Sequence, residues 1–175
     1  MRFIKPILIA LTGLSLVLLA ISSLLPGEVM TSKWVIVHGE TAPVLSEIRD
    51  LRNWPQWNGL LSGVTDFTVS PKTNPADTGA TIRWTDQRGG KNTLAVTENN
   101  EKGLVTTMTL GDNRPMESGF SVEKRQADSV QVVWFIIEKL KWYPWEKFYG
   151  MMAADMKGPL MQESLDKLKA KLEDN

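Results

Sequence analysis

Chemistry needs nucleophiles, acids, bases or metal ligands at fixed spacing, and this chain offers few. It has no cysteine, which removes thiolate catalysis, disulfides and Cys-ligated metals. Its one histidine, His38, is the natural general-base candidate by residue type. It stands alone, so a typical His-based metal site is not expected, and a strand end is an ordinary place for a structural histidine. Ser62-Gly63 and Ser118-Gly119 do not complete a nucleophile elbow. Gly89-Gly90 and Gly150 form no phosphate-binding fingerprint. Asp155, set among Met151, Met152 and Met156, reads either as an acid aimed into a pocket or as a solvated residue on an outer helix face. Arg83 and Glu98 alternate with apolar neighbours and read as facing water. No catalytic residue, metal or cofactor is assigned.

The stronger signal is apolar. Trp84, Met108, Trp134, Phe148, Met151 and Met152 are candidate pocket walls, with Asp155 as their polar member. Methionine adapts to ligand shape, and tryptophan adds a rigid wall with one donor. The competing reading is that each simply fills the core. The run Lys141-Trp142-Tyr143-Pro144-Trp145 reads as a membrane-facing or gate-like aromatic loop, or as a plain strand–helix connection. Twenty basic residues balance twenty acidic ones and are interspersed, so nucleic acid is not an expected partner.

These residues must be positioned by strands and one long helix. Trp34–Val37 is β-forming. A short helix over Pro43–Leu51 follows, with Thr41 as its N-cap, and then a tryptophan-rich turn. Six strands come next, at Val64–Ser70, Ala80–Asp86, Asn92–Glu98, Leu104–Leu110, Met116–Arg125 and Val130–Glu138. The loop PKTNPADTG, the hairpin-like turn Gln87–Gly90 and later Gly/Asn/Asp turns separate them, which reads as an antiparallel meander. Pro144 can start a final helix to Glu173, with Met161, Leu165, Leu168 and Leu172 on one face. Gly158-Pro159 predicts a kink or break in it. The fold class is therefore α+β, with a seven-stranded curved antiparallel sheet covered by a long C-terminal helix and a cavity between them.

Ahead of this lies a run without charge from Ile7 to Leu25, about 28 Å long as a helix and close to the ~30 Å hydrocarbon core. Arg2 and Lys5 precede it, which predicts a cytoplasmic N-terminus and a domain on the outer, periplasmic or extracellular, side. Pro26-Gly27 ends the helix. Residues 1–26 are thus read as a membrane anchor and 27–175 as one soluble domain. A cleavable signal peptide, cut after Ser22, is the competing reading.

Three stretches together resemble the START-like, or SRPBCC, superfamily of polyketide cyclase/dehydrase and lipid-transport proteins. The first is VIVHGETAPVLSEIRDLRNWPQW, matching at Ala42, Pro43, Ile48, Asp50, Trp54 and Trp57. The second is the run of six strands. The third is GPLMQESLDKLKAKLE, matching at Gly158, Leu165, Leu168, Lys169 and Glu173. The resemblance implies a helix-grip fold and a hydrophobic small-molecule ligand, lipid or quinone-like, in an apolar cavity. It carries no universal catalytic motif. A polyketide cyclase/dehydrase-type enzyme, using acids such as Asp155 or Glu98, and a scaffold or interaction module with a filled core are the alternatives.

Overall fold

The computed structural model describes residues 4–70, 77–86 and 89–174, the side chain of Met151 excepted. Most of the loop PKTNPADTG, the Gln87-Arg88 half of the predicted hairpin turn, and Arg2 lie outside the described residues.

Seven strands form one antiparallel sheet: β1 (Glu28–His38), β2 (Phe67–Ser70), β3 (Thr81–Thr85), β4 (Lys91–Asn100), β5 (Gly103–Leu110), β6 (Met116–Gln126) and β7 (Ser129–Lys139). Their spatial order is β1-β7-β6-β5-β4-β3-β2. The meander β2 to β7 is closed by β1 returning against β7. β1 begins at Glu28, well before the expected Trp34–Val37, because β7 offers a partner along its whole length, from Glu28 opposite Lys139 to His38 opposite Ser129. Alternation does the rest: Thr31, Val35 and Val37 are buried on the inner face, while Met30, Trp34 and Ile36 are exposed on the outer one.

Helix α1 (Ile4–Leu24) is apolar and buries only Ser22. Helix α2 (Thr41–Arg49) starts and ends two residues earlier than the expected Pro43–Leu51: Glu40, not Thr41, is the N-cap, and no side chain caps it. It packs Val44, Leu45 and Ile48 inward. The tryptophan-rich segment forms two 3-10 turns, Trp54–Gln56 and Gly59–Leu61.

Helix α3 (Pro144–Glu173) is continuous through Pro159, so the expected break does not occur. Interior proline costs roughly 3 kcal/mol. Beyond it, Met161, Leu165 and Leu168 are fully buried, and each buried side chain of that size contributes ~1.5–3 kcal/mol. Packing therefore outweighs the break. Gly158 permits the approach: a Cβ there would lie 2.9 Å from Lys33 Cε on β1.

The space between sheet and helices holds four rings. Trp54 and Trp57 meet Phe120 edge-on at 5.4 and 5.6 Å, and Phe120 stacks on Trp134 at 5.2 Å. All four are buried. This part of the grip is filled by side chains.

Candidate functional site

The two halves of α3 differ. Its inner face is packed through Lys147, Gly150 and Ala153 in the first half and from Gly158 onward in the second, but on the opposite face of the first half Trp145, Phe148, Tyr149, Met152 and Met156 are exposed, at 42–68% of their surface. Spacing of three, four and seven residues puts them on one stripe. At Tyr149 the stripe meets the space between α3, the β5–β6 turn and the end of β7.

A cleft of about 240 Å³ opens there. The β5–β6 turn contributes Leu110, Asn113, Arg114, Pro115 and Met116, the end of β7 contributes Glu138 to Leu140, and α3 contributes Glu146, Tyr149 and Lys157. Four of its five charged side chains, all but Lys139, are paired with one another. Arg114 Nη2 lies 2.8 Å from Glu146 Oε2, which also accepts the Lys141 N–H at 2.6 Å. Lys157 pairs with Glu138 across the cleft, linking α3 to β7. Partial burial would raise the Glu146 pKa, but the Lys141 N–H and the charges of Arg114 and Lys141 outweigh it. The carboxyl is held below its usual range and stays ionised at neutral pH. It is poorly suited to donating a proton there.

Behind this polar lip the wall is sulfur and ring. Met116 pairs with Met108 across β5 and β6. Further along the same inner face of β6 come Ser118 and then Phe120, opposite Trp134. The Trp134 indole donates to Ser118 Oγ at 2.9 Å. A path of deformable methionine therefore separates the cleft from the aromatic cluster.

The residues proposed from sequence divide into two groups. Trp84, Met108 and Trp134 are core residues, at most 4% exposed. Phe148, Met152 and Asp155 are exposed on α3. Met108 backs the cleft through Met116, whereas Phe148 and Met152 do not line it and belong to the exposed stripe that meets it at Tyr149. The Met151 side chain lies outside the described residues. Asp155 and Glu98 are both exposed and line none of the clefts around Met116, Trp34 or Trp84. His38 is a tie between elements: its N–H donates to Glu173 Oε1 at 2.8 Å, and its Nδ1 lies 2.9 Å from the same oxygen.

Comparison with known proteins rests on shape. No family model matches this chain, and no curated protein does. Among solved structures, a START superfamily protein from Mycobacterium smegmatis aligns with a TM-score of 0.61 at 21% identity, covering 83% of this chain and 97% of its own. The fold is START-like. Truncated norcoclaurine synthase from Thalictrum flavum aligns at 0.62 with 12% identity, over 85% of this chain and 95% of its own. DynU16, a protein of the dynemicin biosynthetic locus, aligns at 0.58 with 18% identity, over 82% of this chain and 47% of its own. The helix-grip architecture expected from the sequence is the one observed.

Two features of this START-like domain escaped the sequence reading. Trp57 Nε1 and Asn58 Nδ2 are buried without a partner among the described residues, each carrying a cost of ~1–3 kcal/mol. Lys147, only 7% exposed, extends its ammonium to the carbonyls of Pro26 at 2.6 Å and Leu25 at 3.4 Å. Those carbonyls follow the last turn of α1, where a cation satisfies orphan acceptors and the helix dipole. Ser22 Oγ donates to the Trp142 carbonyl at 2.9 Å, and the Leu140 N–H donates to Gly27 O at 2.8 Å. The end of α1 is thus fastened to the start of α3. No local pattern announces contacts between positions so far apart in the chain.

Proposed function

We propose that residues 1–26 anchor this chain in a membrane and that residues 27–175 bind a hydrophobic small molecule, lipid or quinone-like, at the first half of α3. The observation that carries this reading is the exposed apolar stripe of α3 beside a cleft walled by Met116, with Tyr149 common to both. An apolar molecule laid there would cover Phe148, Tyr149 and Met152 while its polar end meets the paired charges at the rim, the usual division of labour in a ligand site. The site is an open cleft at the end of the grip, since the aromatic cluster occupies the space between sheet and helices.

The fastening of α1 to α3 supports a retained anchor. Cleavage after Ser22 would remove the hydroxyl that holds the Trp142 carbonyl. The positive flank of Arg2 and Lys5 favours a cytoplasmic N-terminus with the domain on the outer side. The filled aromatic core is the observation that favours a scaffold without ligand. The exposed, separated positions of Asp155 and Glu98 give the cyclase/dehydrase alternative no acid pair to work with.

Binding of the fluorescent amphiphile anilinonaphthalene sulfonate to the full chain in lipid nanodiscs tests the site, with empty nanodiscs subtracted. Protein-dependent binding that is competed by fatty acid and lost in Met152→Asp supports it. Binding unchanged by Met152→Asp, or no protein-dependent binding, contradicts it.

A further inference from the structure

We infer that the Trp142–Trp145 loop and the first turn of α3 form a bilayer-seating surface, which holds the domain against the lipid head groups with the α3 cleft at the membrane surface. The inference rests on the anchor reading of α1 and adds an orientation to it. Helix α1 spans about 31 Å, so if it crosses the ~30 Å hydrocarbon core, Leu24 ends at the interface. The contacts of Ser22 and Lys147 then bring Trp142 and the start of α3 to that same level.

What the structure presents there suits lipid. Trp142 and Trp145 are 71% and 68% exposed. Tyr143 stacks on Trp145 at 4.7 Å, and the Lys141 ammonium sits 5.3 Å from the Tyr143 ring centre. Rings that are apolar in body and polar at the tip prefer the head-group layer, and an adjacent lysine suits lipid phosphate. Contiguous exposed apolar surface of this kind marks an interaction site. Its continuity with an apolar helix exposed almost throughout selects the bilayer as the occupant. Phe148 and Tyr149 carry the apolar stripe on from this seat, and Tyr149 lines the cleft, so a ligand would pass between bilayer and cleft with little exposure to water.

The test uses the full chain reconstituted in vesicles. Flotation and resistance to alkaline extraction report the anchor. Tryptophan quenching by phosphatidylcholine brominated near the head-group end of its acyl chain reports the seat. Trp54, Trp57, Trp84 and Trp134 are buried, and Trp34 is exposed on the outer face of β1, so the measurement is made in a Trp34→Phe background. Quenching should then come chiefly from Trp142 and Trp145, and adding the double variant Trp142→Phe/Trp145→Phe should remove most of it. Because the chain has no cysteine, a nitroxide on Trp142→Cys gives an independent depth reading, with oxygen more accessible than a water-soluble nickel chelate. Floating protein whose quenching is unchanged in the double variant, or whose nitroxide sees nickel as freely as a solvent site, overturns the seat and leaves the anchor standing. Protein that does not float overturns both. Absent quenching with cross-links through residue 142 between two chains assigns the surface to a second copy and also overturns it.

Discussion

Replacing Lys147 with methionine should uncouple α1 from the domain. The substitution keeps the buried stem and removes the charge, leaving the Pro26 and Leu25 carbonyls without their donor. A hydrogen bond to a charged group contributes ~1.5–3 kcal/mol, and a cation at a helix C-terminus adds ~0.3–1 kcal/mol. The ammonium is desolvated in the docked state, which offsets part of this gain. A net loss of about 2 kcal/mol follows, or about 30-fold in the docking equilibrium. The Leu140 N–H is the nearest backbone reporter of that junction, because it donates to Gly27 O, next to Pro26 and at the open end of the β1–β7 ladder. Hydrogen exchange of the full chain in nanodiscs should show this amide exchanging about 30-fold faster in Lys147→Met. The buried strands β5 and β6 should be unchanged. Lys147→Arg, which keeps the charge, should recover part of the protection. Unchanged exchange at Leu140 in Lys147→Met would refute the reasoning, since the ammonium would then contribute nothing to docking.

Other outcomes follow from particular contacts. Trp54 donates its indole N–H to Ile48 O at 2.7 Å, whereas the buried Trp57 N–H has no partner among the described residues. Trp54→Phe should therefore cost ~1–2 kcal/mol more in denaturant unfolding than Trp57→Phe. At Gly103 a Cβ would lie 1.9 Å from the Phe120 carbonyl oxygen. Backbone cannot give way as a side chain can, so Gly103→Ala should lower stability by ~1–3 kcal/mol or more, read as a fall in Tm. Glu173 has a lowered pKa chiefly through the His38 N–H, and Glu146 a lowered one despite its partial burial. A depressed folded pKa gives stability that is complete above the ordinary glutamate value of 4.5 and is lost as pH falls through the folded value. Thermal stability should hold from neutrality to about pH 5 and decline below it, with a shallower decline in Glu146→Gln.

Much of the fold was legible because local patterns agreed with it. Period-two runs gave β3 to β7 within a few residues, and the stripe Met161, Leu165, Leu168 gave the packed half of α3. The errors came where tertiary partners override local signals. β7 extends β1 back to Glu28, and the packing beyond Pro159 carries α3 through a proline. The site was half legible. Phe148 and Met152 were chosen for their types, and they are exposed on α3 beside Tyr149, which lines the cleft. Trp84, Met108 and Trp134 have the same types, but inward-facing strand positions bury them. Composition does not separate a pocket wall from a core filler. Lys147 gave no signal, because a lysine on an otherwise apolar half-helix resembles a solvated residue until the end of α1 is placed beside it.

The central claim is a retained membrane anchor carrying an apolar binding site. Native mass spectrometry of the full chain released gently from its own membranes tests it most directly. The account predicts a chain with its N-terminal segment intact, carrying an apolar small molecule that Met152→Asp sheds. A chain beginning at Ser23, or an intact chain that is bare and stays bare when fatty acid is added, would contradict it.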